Sequence, residues 1–163
     1  MGRDPKSLFS EMRLAMRDFD EQSVRTTLAH SFNRDAVIHL CHPFGDLHGA
    51  ESLYDKAYAP LFAALPDLER RDWIVIAGED DEGALWLGAG GHYMGTFMRP
   101  WLDIPPTGHI VSMRYHEFYR FEGNKFVEMQ AIWDIPEVMM QAHAWPLSPS
   151  LGREFLEIGR AHV

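Results

Sequence analysis

The sequence predicts an α+β fold, and three observations carry that prediction. Apolar residues recur at helical spacing through the first third of the chain, and from residue 69 onward the runs become strand-like. The links Glu79–Gly83 and Gly123-Asn124 are short, polar and glycine-containing, as turns between antiparallel neighbours are, and neither leaves room for a crossover helix. Helices first and a meander second gives α+β.

The elements follow in order. Asp4-Pro5 supplies a cap and a first-turn proline, and Leu8, Met12, Ala15, Met16 and Phe19 then share one helical face. A second short helix carries Val24 and Leu28. Ala36 to Cys41 has a β-like pattern that stops at the turn residues Pro43, Gly45 and Asp46. Gly49 to Leu65 reads as a third helix with Leu53, Ala57, Leu61, Ala64 and Leu65 inward, bent or interrupted at Pro60. Trp73 to Ile76, Ala84 to Phe97, Ile110 to Phe121 and Phe126 to Trp133 are the strands. Pro136 opens a helix through Gln141, and Ser150 to Ala161 offers another after Pro146 and Pro149.

Composition bounds the class. With 163 residues and 46% hydrophobic content the chain can bury one core, and a single domain with a core over 5–142 and an extension over 143–163 is expected. Twenty-four acidic against fifteen basic residues leave a net charge of −9 with no basic cluster, which argues against a nucleic-acid partner. The charged N-terminus lacks a signal-like apolar stretch, and the apolar runs are strand-sized, so neither export nor a membrane is expected. The single cysteine, Cys41, excludes an intrachain disulfide and suits the cytoplasm.

Alternation along Ile110 to Phe121 places Met113, Tyr115, Glu117 and Tyr119 on one face and Ser112, Arg114, His116, Phe118 and Arg120 on the other. The facing strand divides into Val127, Met129, Ala131 and Trp133 against Glu128, Gln130, Ile132 and Asp134. A two-residue loop at Gly123-Asn124 pairs Glu122 with Lys125, setting Glu117 opposite Gln130. A bulge, or a loop one residue longer or shorter, sets Glu117 beside Met129 and Ala131 instead. Both registers are compatible with the sequence.

His39 and His42 flank Cys41, with His48 nearby, but their spacing suits neither a strand nor a helix, and no carboxylate triad completes a metal site. No metal is expected, and His39 is read as a polar wall residue. Asp134, just before Pro136, is placed to cap the following helix. Neither a phosphate loop nor a nucleophile elbow is present.

One segment goes further. Gly91-His92-Tyr93-Met94-Gly95-Thr96-Phe97, then Trp101 to Gly108 with its Ile104-Pro105-Pro106-Thr107-Gly108 core, resembles the signature of the SnoaL-like polyketide cyclases, within the nuclear transport factor 2-like superfamily. The resemblance continues through Arg114, Glu117-Phe118, Gly123, and Asp134 followed seven residues later by Gln141. It implies a cone-shaped fold in which a curved antiparallel sheet wraps around the N-terminal helices, with the ligand at the wide end and acid–base chemistry done without a cofactor. The glycines at 88, 90, 91 and 95 fit such curvature independently.

In the aldol-type cyclases of this family a histidine and an aspartate on the last two strands reach into the pocket. By the resemblance, the histidine falls on Glu117, the aspartate on Ala131, and a further histidine on Tyr93, with His92 adjacent. Alanine transfers no proton, so the pocket carries over and the cyclase reaction through that residue does not.

Glu117 is then the candidate general base, because a carboxylate among Met129, Trp133 and Tyr115 is partly desolvated and its pKa is expected to rise. Asp134 is the reserve acid–base group. Tyr93 or Tyr115 would stabilise charge on the ligand, and His39, His92, Met129 and Trp133 complete the expected lining. The expected function is isomerisation, cyclisation or dehydration of a small apolar carbonyl compound. The alternative is a non-catalytic binding protein for a hydrophobic metabolite. A homodimer through the outer sheet face is expected from family habit and from the apolar residues between Trp86 and Trp101.

Overall fold

The computed structural model describes residues 4–17 and 19–147, so the helix expected over Ser150 to Ala161 lies outside the described residues. Helices α1 (Pro5–Arg17) and α2 (Glu21–Ser31) precede strands β1 (Phe32–Leu40) and β2 (Gly45–His48). A helical stretch follows as α3 (Gly49–Leu53), a π-helical turn (Tyr54–Tyr58) and α4 (Ala59–Ala64). Strands β3 (Glu69–Glu79), β4 (Leu85–Thr96), β5 (Ile110–Glu122) and β6 (Lys125–Trp133) and helix α5 (Ile135–Gln141) complete the chain.

The helices form where the periodicity places them. Leu8, Phe9, Met12 and Met16 form the buried face of α1, and Phe19 is buried just beyond its end. Asp20 caps α2 by accepting a hydrogen bond from the Ser23 amide at 2.8 Å, filling one of the orphan donors of the first turn. Pro60 does not break the third helix. The π-helical turn just before it, where the Ala59 amide reaches back to the Tyr54 carbonyl, loosens the winding where a proline ring would press on the preceding turn. That turn buries Tyr54, Ala57 and Tyr58.

The six strands form one sheet in the order β2-β1-β6-β5-β4-β3. Strands β3 to β6 are an antiparallel meander, as the turns predict, whereas β1 lies parallel to β6. The helical stretch between β2 and β3, together with the meander, separates β1 from β6 along the chain, so no hairpin constrains their direction. Strand β2 takes Gly45–His48, where only a turn was expected, and β3 extends on both sides of Trp73–Ile76.

The β5–β6 register resolves with elements of both expectations. Gly123 and Asn124 have φ of 57° and 66°, the two-residue turn that pairs Glu122 with Lys125. A bulge between Arg120 and Phe121 then shifts the ladder by one and sets Glu117 directly opposite Ala131. A second bulge lies between Asp72 and Ile74 on β3.

Curvature also needs one glycine specifically. A side chain at Gly91 would run into the Arg71 carbonyl oxygen and the Tyr115 hydroxyl, so only glycine lets β3, β4 and β5 close up there. The concave face carries Leu87, Ala89, Tyr93, Met113, Tyr115, Glu117, Tyr119, Met129, Ala131 and Trp133, all buried in one core with α1, α2 and the π-helical turn.

Candidate functional site

At the centre of that concave face lies Glu117, with no exposure to solvent. Its Oε2 accepts from Arg70 Nη1 at 2.7 Å and from the Tyr119 hydroxyl at 2.5 Å. Its Oε1 accepts from the Tyr93 hydroxyl at 2.9 Å and from Trp133 Nε1 at 3.0 Å. One oxygen is thus anchored by a cation and a short bond, and the other is held by two neutral donors at greater length. The donors come from β3, β4, β5 and β6, so the sheet's curvature is what makes them converge.

A wider network surrounds this carboxylate. Tyr93 also accepts from Arg70 Nη1 at 2.8 Å and lies 3.0 Å, hydroxyl to hydroxyl, from Tyr58 of the π-helical turn. Arg70 Nε donates to Asp72 Oδ1 at 3.0 Å, and the Tyr115 hydroxyl donates to the same oxygen. Asp72 Oδ2 in turn lies 3.3 Å from Nε of Arg13, whose side chain is 44% exposed, so a chain of charge runs from the surface to the buried Glu117. The Arg70 guanidinium centre stands 4.3 Å from the Tyr115 ring centroid and 5.3 Å from that of Phe9, an aromatic cradle suited to a buried guanidinium.

Electrostatics follow from this packing. Burial raises the pKa of Tyr58, Tyr93, Tyr115 and Tyr119, and the Glu117 carboxylate raises each further, so all four remain protonated donors. Burial alone would lower that of Arg70, but Glu117 together with Tyr93, Tyr119 and Tyr115 outweighs it and holds the guanidinium charged.

The expected site residues divide. Glu117, Tyr93 and Trp133 meet directly, Tyr115 joins only through Asp72 and then Arg70, and Met129 is a fully buried neighbour facing Tyr119 across the ladder. His39 does not join them. It points outward between the inward Ile38 and Leu40, with Nδ1 2.8 Å from Asp46 Oδ1. His92 is buried but belongs to the convex face, its ring 4.1 Å from that of Trp73, because it alternates with Tyr93. Asp134 caps α5, accepting from the Glu137 amide at 3.3 Å and pairing with the outward Arg114 at 3.3 Å, with no hydrogen bond into the Glu117 network. Arg70, Asp72, Tyr58 and Tyr119 are the residues sequence reading did not assign to the site, although alternation sets Tyr119 on the face of Glu117. For Arg70 and Asp72, inward alternation with Leu68 was the available signal, and the bulge at Asp72/Ile74 hides it.

The segment Trp101 to Gly108 leads into β5. Trp101 and Ile104 bond each other reciprocally around Leu102 and Asp103, both at positive φ, and Phe44 packs between Trp101 and the Trp133 ring at 6.4 and 5.6 Å. Among the described residues, no three His, Cys, Asp or Glu side chains are grouped to hold a metal ion. No helix among them is long and apolar enough to cross a membrane.

The model of the SnoaL-like polyketide cyclase family matches residues 10–142, from α1 to α5. The chain belongs to this family. No curated protein matches it in sequence. Solved structures resemble it across the fold. AclR from Streptomyces galilaeus is 20% identical with a TM-score of 0.71, over 90% of this chain and 89% of that one. IdmH from Streptomyces antibioticus is 22% identical with a TM-score of 0.69, over 86% and 99%. A SnoaL-like polyketide cyclase from Agrobacterium tumefaciens is 19% identical with a TM-score of 0.64, over 85% and 98%. At these identities the likeness establishes the six-stranded curved sheet with N-terminal helices, and the site must be argued from its own residues.

Proposed function

We propose that this SnoaL-like protein is an acid–base enzyme acting on a small, largely apolar carbonyl compound, with Glu117 as the proton acceptor. The observation that carries the reading is the asymmetry of the carboxylate. Oε2 is fixed by Arg70 and Tyr119, while Oε1 has only the longer, neutral bonds from Tyr93 and Trp133. Oε1 is therefore the oxygen from which a substrate C–H displaces a partner at least cost. Tyr93, bonded to Tyr58 and Arg70 as well, is the group to move toward a developing oxyanion. Aromatic walls exclude water around it. Asp134, committed to the α5 cap and Arg114, is not given a catalytic role.

The family's aldol mechanism is not adopted in its usual form, because Ala131 faces Glu117 across the ladder, at the position where the resemblance places an aspartate. Loss of α-deuterium from a panel of apolar ketones, followed by proton NMR, tests the reading. Glu117→Gln should slow the exchange of any ketone the wild type accepts by about a hundredfold or more with the fold intact. Undiminished exchange would refute the role. A binding protein for a hydrophobic metabolite is the second reading, favoured by the four donors that already occupy Glu117.

We propose a homodimer through the convex sheet face. Trp73, Ile74, Ile76, Phe118 and Ile132 are exposed there, while Gly88 and Gly90 let the side chains of Ile76, Ile74 and Phe118 lie flat across β4. The supporting residues are not the expected ones, since Tyr93, Phe97 and Trp101 turn inward. A monomeric, concentration-independent mass by light scattering would count against the dimer.

A further inference from the structure

Arg70 has one arm that the protein does not use. Its side chain is fully buried; Nε is committed to Asp72 and Nη1 to Glu117 and Tyr93, but Nη2 has no acceptor among the described residues. A buried N–H on a charged group is costly to leave unmade, and a guanidinium that forks between two acceptors is suited to a third in its own plane. We propose that Arg70 Nη2 is the docking point for a ligand enolate oxygen, which makes the compound bound here a small apolar 1,3-dicarbonyl or its enol. The proposal rests on the reading of Glu117 as proton acceptor and extends it to the substrate class.

Charge accounting supports this assignment. Arg13, Asp72, Arg70 and Glu117 form a line of alternating sign with no net charge. When Glu117 Oε1 takes the proton, the substrate C–H bond breaks and an O–H bond forms on the glutamate. The C–H electron pair forms the carbon–carbon double bond of the enolate, and the negative charge moves from Glu117 to the former carbonyl oxygen. Arg70 touches both ends of that transfer, Nη1 at the carboxylate and Nη2 at the new oxyanion, so its charge serves reactant and product alike without the side chain moving. A carbon acid flanked by two carbonyls suits a carboxylate base better than a simple ketone does, because its conjugate enolate is only moderately basic.

Calorimetric titration with two probes of similar shape tests the assignment: 5,5-dimethylcyclohexane-1,3-dione, an enolate at neutral pH, and the neutral 3,3-dimethylcyclohexanone. The wild type should prefer the dione by about tenfold or more. Arg70→Lys, which keeps a cation for Glu117 and loses the second arm, should reduce that preference to about threefold or less. Glu117→Gln should increase the preference, because the enolate then meets Arg70 without a competing anion. Failure of both probes to bind, equal affinities in the wild type, or an unchanged preference in Glu117→Gln would overturn the assignment. A strong dione preference with no α-deuterium exchange would instead sink only the role of Glu117 as proton acceptor.

Discussion

Strand β5 carries two kinds of ion pair on its two faces. Inward, Glu117 and Arg70 are both fully buried and 2.7 Å apart; outward, Arg120 pairs with Glu128 at 3.0 Å and Arg114 with Asp134 at 3.3 Å, with 21 to 33% of each side chain exposed. Chemistry and distance are similar, and surroundings set the consequence. Water screens the outer pairs, so each contributes little and can be replaced. The inner pair has no water to fall back on, and every partner it has must come from the protein. Such a network is weak evidence for stability, but it is the place where a ligand could exchange one buried partner for another.

The largest effect should come from breaking the inner pair on one side. Arg70→Met leaves the Glu117 carboxylate buried without its cation and should cost about 3–5 kcal/mol in urea denaturation. Arg70→Met with Glu117→Met should recover most of that loss. Arg120→Met, on the outer face, should cost less than about 1 kcal/mol. Equal losses at Arg70 and Arg120 would erase the distinction between the faces.

Glycine replacements sharpen the same contrast. Gly91→Ala drives a methyl group into the Arg71 backbone and the Tyr115 hydroxyl and should cost about 3 kcal/mol. Gly88→Ala meets only the Phe118 and Ile76 side chains, at 3.0 and 3.3 Å on the open face, and should cost clearly less by the same measurement.

Alkaline titration reads the inner face as a whole. All five tyrosines have pKa values raised first by burial. A folded-state value above the unfolded one, about 10, contributes stability that is fully present below pH 10 and is lost as pH rises toward the folded value. Phenolate absorbance should therefore appear together with loss of the circular dichroism signal. Ionisation of most tyrosines near pH 10 in a folded protein would contradict the burial of the network. Asp134→Ala should cost about 1 kcal/mol through the lost α5 cap, while Asp134→Asn should cost much less.

The sequence exposed the strands and turns more fully than the site. Alternation on β5 put Tyr115, Glu117 and Tyr119 on one face, and the same rule applied to Ala36, Ile38 and Leu40 turns His39 outward. His92 beside Tyr93 could not share its face for the same reason. The β5–β6 partners were ambiguous because the turn and the bulge between Arg120 and Phe121 shift the register in ways alternation does not encode. Arg70 and Asp72 escaped notice because they precede a second bulge in a charged segment, where two inward ionisable residues look like solvent-facing ones. The cation that balances Glu117 lies 47 residues from it along the chain, and only the closed sheet brings the two together.

The most direct test of the account compares Glu117→Gln with Asp134→Asn in the same α-deuterium exchange assay on one accepted ketone. Glu117→Gln should lose about a hundredfold or more, with Asp134→Asn within about threefold of wild type. Loss of exchange in Asp134→Asn, with Glu117→Gln unaffected, would mean that the buried network is structural and the proton acceptor lies at the α5 cap.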